Sequence, residues 1–200
     1  MIKAIIFDLS GVLIEDPALK MLDYFRAFFG IKIETFRKVD LEIFPRFQKG
    51  MVSEEQLWER ICSAFKVPVP DVPSLWEDAF RSVYKPKEEM FSLAAKLKEE
   101  GYKVGLLSNS EVPAMSYFLK QNPDLFDATV FSCIEGTMKP ERRIYEIALE
   151  RLGVQPHEAV FIDDRKDFLE GAKKIGIKTI LCTSPHQVQR DLTQFSVRIH

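Results

Sequence analysis

The chain has 200 residues and a formal net charge of −2, with 46% apolar and 29% charged residues. This composition is typical of a globular protein with one large domain, or a core and a small insert, and it lacks the basic surface that nucleic-acid binding needs. No apolar run approaches the roughly 20 residues of a membrane helix, and the N-terminus has no signal-peptide pattern. Three widely spaced cysteines, Cys62, Cys133 and Cys182, favour reduced thiols over disulfides or a zinc site. We therefore expect a cytoplasmic protein that binds neither nucleic acid nor membrane. Its oligomeric state is not indicated.

The first predicted element is a strand over residues 4–7, an unbroken apolar run within the stretch 3–13. Such a run is typical of a strand that is covered on both faces. The run ends at Asp8, and Gly11 follows, so a carboxylate lies where the strand stops and the chain turns. In an open parallel sheet, ligands bind at that end of the strands. Asp8 is therefore a candidate functional residue, and capping of the turn is the alternative interpretation.

Residues 15–86 have the pattern of helices, with no convincing strand. Apolar residues at helical spacing and Ser/Glu or Ser/Gln capping boxes mark the predicted helices. These are a helix from Leu19 to Phe29 before Gly30, a helix within 33–47 broken near Pro45, a helix over 54–65 with a capping box at Ser53 and Gln56, and a helix from Ser74 to about Tyr84 with a capping box at Ser74 and Glu77. We expect this segment to form a helical cap, joined to the rest of the chain by a hinge at 85–87.

After Pro86 the pattern changes to alternating helices and strands. The predicted strands are 102–107, 128–133, 159–162 and 178–182, and the predicted helices are 88–100, 112–120, 140–153, 168–175 and 184–192. Five strands joined by helices favour a parallel sheet covered on both faces, which is an α/β fold. The predicted division is therefore a core of residues 1–14 and 87–200, with a cap inserted at 15–86.

Polar residues follow three of the predicted strands, and a lysine precedes the helix after another. They are Asp8 and Ser10, Ser108 and Asn109, Asp163 and Asp164, and Lys139. If the strands are parallel, these groups converge at one edge of the sheet. Carboxylates can hold Mg²⁺ through oxygen ligands, Ser108 and Lys139 can hold phosphate oxygens, and a carboxylate such as Asp8 can attack phosphorus. The pattern therefore indicates a phosphate site with a metal.

Four motifs in these positions resemble those of the haloacid dehalogenase superfamily. They are FDLSGVL at 7–13, LLSNS at 106–110, GTMKPERRIYEIAL at 136–149, and VFIDD at 160–164 followed by Gly171 and Ala172. The motifs occur in the family's order and spacing. The resemblance implies a Rossmann-like core with an inserted helical cap. It is nearest to sugar-phosphatase-like members and to the phosphatase domain fused to soluble epoxide hydrolases.

The resemblance also implies roles for the site residues. Asp8 would be the nucleophile, Ser108 would bind phosphate with Asn109 beside it, and Lys139 would steady both nucleophile and phosphate. Mg²⁺ would be held by Asp8, Asp164 and the backbone carbonyl of Ser10, with Asp163 either as a further ligand or beside the ligands. We therefore expect a Mg²⁺-dependent phosphohydrolase that acts on a small phosphorylated metabolite through an aspartyl-phosphate intermediate.

Two residues depart from the family pattern. Family phosphatases usually carry an Asp as general acid and base where this chain has Ser10, and an Asn or Asp where it has Phe168. A positioned acid or base is typically worth about 10²–10⁴-fold in rate. A slow phosphatase, one limited to good leaving groups, and a non-catalytic phosphate-binding protein are therefore all open. A 2-haloacid dehalogenase is a further alternative, but those relatives usually carry Tyr at the position of Ser10.

Overall fold

The computed structural model describes residues 1–30, 43–122 and 124–199. Five parallel strands form one sheet in the order β3-β2-β1-β4-β5. The strands are β1 (Ala4–Phe7), β2 (Lys103–Ser108), β3 (Ala128–Phe131), β4 (Ala159–Asp163) and β5 (Lys178–Leu181). The predicted α/β fold class with a parallel sheet is confirmed.

Helices connect these strands and cover the sheet. Between β1 and β2 lie α1 (Ala18–Phe29), α2 (Ile43–Gln48), α3 (Glu54–Phe65), α4 (Leu75–Val83) and α5 (Glu88–Glu99). After β2 follow α6 (Val112–Gln121), α7 (Ser132–Glu135), α8 (Arg142–Leu152), a 3-10 turn (Pro156–Glu158), α9 (Lys166–Lys173) and α10 (Pro185–Gln194). Within the described ranges, no helix has the length and apolar character that crossing a membrane requires.

The helices before residue 86 largely match the prediction. Ser53 and Gln56 form the predicted capping box at α3. At α4 the hydroxyl of Ser74 accepts the Glu77 N–H but donates to Glu54, so this N-terminus has an N-cap without the predicted reciprocal bond. Pro45 lies within α2 (Ile43–Gln48), but the residues just before this helix are not described, so the predicted break near Pro45 stays a prediction. Part of the predicted 33–47 helix, residues 33–42, lies outside the described residues.

Two predictions after residue 86 were wrong for the same physical reason, namely competing side-chain hydrogen bonds. The strand predicted to reach Cys133 ends at Phe131, since the Ser132 hydroxyl donates to the Gln48 carbonyl at 2.6 Å and begins a short helical turn. Pro140 is not the first residue of α8, which begins at Arg142. The backbone N–H of Lys139 donates to Asn109 Oδ1 at 2.8 Å, which holds this segment in a loop.

The sheet is buried on both faces, as an unbroken apolar run in β1 predicts. Ile5 and Phe7 belong to one core cluster, which includes α5 and residues of α1, α3 and α4. Ala4 and Ile6 belong to the other, which includes α8 and α9. The sheet is therefore sandwiched between helices, and α1, α3 and α4 share the first core.

The two connections between the sheet and the helices α1–α4 lie side by side. The N–H of Glu15 donates to the Lys85 carbonyl at 2.9 Å, and the N–H of Lys87 donates to the Leu13 carbonyl at 2.8 Å. These bonds join the connections where we predict the boundary between core and cap. The strand order also changes direction between β1 and β4, which makes the carboxyl ends of these two strands the expected ligand position.

Candidate active site

A buried ion-pair cluster lies at the carboxyl ends of β1 and β4. Lys139 Nζ is 2.7 Å from Asp8 Oδ1 and 2.7 Å from Asp163 Oδ2. All three residues are buried, with exposed fractions of 1% for Lys139, 5% for Asp8 and 0% for Asp163. Buried charges are costly unless they are paired. The pairing of Lys139 with two acids therefore compensates for the burial of all three charges. The cluster brings together three of the predicted site residues.

The electrostatics of this cluster centre on Asp8. Burial raises the pKa of Asp8 to about 7; the Lys139 ammonium opposes this shift, and the Asp163 carboxylate adds to it. When both acids are ionised, two carboxylates with one lysine carry an excess of negative charge in this buried cluster. Additional positive charge nearby would favour the ionised form of Asp8. The cluster is thus suited to a cation.

Asp164 provides a third carboxylate at the same place. Oxygens of Asp8, Asp163 and Asp164 lie within 4.8 Å of one another, a grouping that can hold a metal ion. Asp163 already accepts from Lys139 Nζ and, through Oδ1, from the Arg165 N–H at 2.8 Å. Asp164 is exposed and lines the cavity above the sheet. The geometry therefore favours Asp164 over Asp163 as a cation ligand.

Gly11 fixes how closely the loop after β1 approaches Asp164. Its φ is +83°, and a Cβ atom at this position would lie 2.1 Å from Asp164 Oδ2 and 2.5 Å from Asp164 Cγ. Only glycine adopts this conformation without strain and leaves room for the carboxylate. The sequence showed Gly11 as a turn residue, but its contact with Asp164 joins segments too distant in the chain for a local pattern to reveal.

The end of β2 and the loop after it provide Ser108, Asn109 and Ser110, and the predicted phosphate-binding role of the first two stays a prediction. The Asn109 amide donates to the Lys139 carbonyl at 3.0 Å and its oxygen accepts the Lys139 N–H, so Asn109 holds Lys139 in position. Ser108 is buried and its hydroxyl lies 2.6 Å from that of Ser110. Of these two serines, Ser110 is the one that lines the cavity. Sequence reasoning missed Ser110, although it belongs to the LLSNS motif.

The two residues that depart from the family pattern also line the cavity. Ser10 follows Asp8 closely, with a short hydroxyl side chain in place of an acid. The Phe168 ring lies 4.8 Å from Lys139 Nζ and 4.1 Å from Arg165 Cζ, in cation–π contact with both. Its carbonyl accepts a hydrogen bond of 2.7 Å from Tyr145. The face of the Phe168 ring thus stabilises the positive charge of the Lys139 ammonium group.

A cavity of about 810 Å³ opens above this cluster. Residues of α1, α2 and α4 line it together with the loops that follow β1, β2 and β4. Another lining carboxylate, Glu111, accepts hydrogen bonds from Gln48 Nε2 at 3.0 Å and Trp76 Nε1 at 3.1 Å. Burial raises the pKa of Glu111. The sequence gave no signal for Glu111, since its partners are 35 and 63 residues away.

Known proteins share both the sequence and the architecture. An acyl-CoA dehydrogenase family member 10 of Mus musculus is 31% identical over 95% of this chain, which spans only 19% of the mouse protein. A sesquiterpene phosphatase of Aspergillus oryzae is 25% identical over 88% of this chain and 87% of its own length. The chain therefore corresponds to nearly the whole of one relative and to a fraction of the other.

A solved enzyme structure also resembles this protein in its architecture. A haloacid dehalogenase family enzyme of Bacteroides thetaiotaomicron, solved as the wild-type protein with magnesium and inorganic phosphate, superposes with a TM-score of 0.76 at 28% identity, covering 90% of this chain and 93% of that one. The family model for haloacid dehalogenase-like hydrolases matches residues 2–176. The chain belongs to the haloacid dehalogenase-like hydrolases.

Proposed function

We propose that this hydrolase is a Mg²⁺-dependent phosphohydrolase that cleaves a small phosphorylated metabolite through an aspartyl-phosphate intermediate on Asp8. The observation that carries the proposal is the buried Asp8–Lys139–Asp163 cluster, with Asp164 beside it, at the carboxyl ends of β1 and β4. Relatives named a sesquiterpene phosphatase and a flavin mononucleotide hydrolase support the reaction class. The Bacteroides enzyme solved with magnesium and phosphate supports the metal and the group that is bound.

The carboxylates present fit a hard divalent cation. Asp8 and Asp164, with the backbone carbonyl of Ser10, would hold Mg²⁺, and Asp163 lies close enough to join them. Bound there, Mg²⁺ would neutralise the phosphoryl charge that opposes attack by a carboxylate. Lys139 would hold Asp8 and a phosphate oxygen, and Asn109 would keep Lys139 in place. Ser108 and Ser110 would supply hydroxyl donors to the phosphate.

The proposed reaction has two displacements. An oxygen of the Asp8 carboxylate attacks phosphorus, the bond from phosphorus to the ester oxygen breaks, and the leaving alkoxide takes a proton from water. Water then attacks the phosphorus of aspartyl phosphate, which releases inorganic phosphate and a proton and restores the carboxylate. The Ser10 hydroxyl is about as weak an acid as water, so it does not replace the carboxylic acid that would protonate the leaving group. We therefore propose a slow enzyme that favours good leaving groups.

We also propose that residues 15–86 act as a cap on a core formed by 1–14 and 87–200. The two paired connections near residues 14 and 86 support this division. Contacts across the cavity support a closed position: Trp76 donates to Glu111, and Lys49 Nζ is 2.5 Å from Glu141 Oε1. A closed cap would separate the reacting groups from bulk water and leave only water molecules held within the cavity.

Phosphate release from p-nitrophenyl phosphate, with and without Mg²⁺, tests the proposal. We expect release that needs Mg²⁺, stops with a chelator and is lost in Asp8→Asn. Phosphate binding without release would favour the non-catalytic alternative, which the departures at Ser10 and Phe168 motivate. Chloride release from 2-chloropropionate without metal would instead indicate a dehalogenase.

A further inference from the structure

We infer that the substrate is a phosphate monoester whose organic group is apolar and carries no second anionic group. This inference rests on the proposed function, because it assumes that the phosphate lies at Asp8 and Lys139. It concerns the rest of the cavity, where the organic group must lie.

The part of the cavity wall formed by α1 and α4 is largely apolar. From α1 it is lined by Met21, Leu22 and Phe25, and from α4 by Trp76 and Phe80. Trp76 carries the one polar atom of these side chains, and that N–H already donates to Glu111. A sugar in this space would lose water from its hydroxyl groups without gaining partners from this wall, which is costly. An alkyl or aryl group would gain from burial instead.

The charges around the cavity disfavour a second anion. Among the described residues that line it, six are carboxylates and the basic ones are Lys139 and Arg165. Lys139 is engaged by Asp8 and Asp163, and Arg165 is paired with Asp167 at 2.8 Å. Glu111 places a further carboxylate beside the apolar wall. A diphosphate, or a phosphate ester bearing a carboxylate, would therefore meet repulsion there with no free cation among these lining residues.

The size of the cavity is in keeping with this class of substrate. Its volume of about 810 Å³ lies towards the upper end of the roughly 300–1,000 Å³ typical of small-molecule sites. A phosphoryl group alone would leave most of this space unfilled. A chain or ring system of several carbon atoms would fill the part of the cavity that the side chains of α1 and α4 line.

Binding of phosphonates tests the inference independently of turnover. Methyl-, butyl- and hexylphosphonate present the same dianionic head with a growing apolar chain, and phosphonoacetate adds a carboxylate. With Mg²⁺ present, calorimetry should show affinity rising with chain length, by up to about fourfold per methylene group. Phosphonoacetate should bind more weakly than butylphosphonate. Equal affinity along the series, or tighter binding of phosphonoacetate, would overturn the inference.

A pair of variants on α1 locates the effect. Leu22 lines the cavity, whereas Leu19, on the same helix, is 75% exposed and lies outside the lining. Leu22→Asn should reduce the preference for hexyl- over methylphosphonate by about tenfold or more, the scale at which apolar pockets discriminate. Leu19→Asn should retain the wild-type preference. The same loss in both variants, or in neither, would contradict the proposed position of the organic group.

Acetyl phosphate hydrolysis separates this inference from the proposed function. If acetyl phosphate is hydrolysed with Mg²⁺ but the affinity for phosphonates does not change with chain length, the proposed reaction stands and the inferred substrate class is wrong. If acetyl phosphate is not hydrolysed while the series follows chain length, the apolar phosphate site stands without the reaction. If neither is observed, both statements are wrong.

Discussion

Replacing Gly11 by alanine should damage the proposed metal site through a single added carbon atom. The new Cβ would lie 2.1 Å from Asp164 Oδ2, and real Cβ contacts essentially never fall below 3.0 Å, so the carboxylate must recede by about 1 Å. Metal–ligand distances tolerate only about 0.2 Å. We therefore expect Mg²⁺ affinity to fall by roughly 10–100-fold, the range seen when the support of a ligand is lost.

Gly101→Ala is the matched control for the backbone strain. Gly101 has a φ of +86° against +83° at Gly11, and no atom lies within 4 Å of its added Cβ. Both variants should lose about 1–2 kcal/mol of unfolding free energy, measured by urea denaturation without metal, because L-residues are strained at this φ. In calorimetry Gly11→Ala should bind Mg²⁺ more weakly than Gly101→Ala. Equal affinities would refute the reasoning that places Asp164 at the metal.

Three further predictions address the metal, the missing acid and the cap. Asp164→Asn should weaken Mg²⁺ binding in calorimetry, while Asp167→Asn should not; unchanged affinity in the first would remove Asp164 from the site. Ser10→Asp should raise turnover by at most about 10²–10⁴-fold, more on alkyl than on aryl phosphates, and Ser10→Asn should not. If Ser10→Asp binds Mg²⁺ normally but gains no turnover, the non-catalytic phosphate-binding alternative is favoured. Orthovanadate with Mg²⁺ should slow proteolysis at residues 85–87, and equal rates with and without it would count against cap closure.

The sheet was predictable because its signals are local. Unbroken apolar runs mark the buried strands, and the polar residues at their ends mark the carboxyl edge. The prediction that Asp8, Lys139 and Asp163 converge followed from parallel strands alone, and the structure places these three in contact. Their catalytic and metal-binding roles stay predictions.

Contacts between distant segments were not predictable in this way. The sequence indicated Asn109 as a site residue beside Ser108, but it gave no sign that the Asn109 amide holds the Lys139 backbone across 30 residues. Glu111 belongs to no recognised motif. Its hydrogen bonds come from Trp76 on α4 and Gln48 on α2, which are distant from it in the sequence. The end of β3 and the start of α8 were wrong because side-chain hydrogen bonds outweighed local propensity there.

The most direct test of the account is to look for the phosphoenzyme itself. Because Ser10 provides no base for the second displacement, aspartyl phosphate should accumulate during turnover of an activated substrate such as acetyl phosphate. Acid quenching followed by mass spectrometry should find one phosphoryl group on the peptide that contains Asp8, with less of it in Ser10→Asp. Mg²⁺-dependent turnover with no phosphoryl group on that peptide would contradict the account.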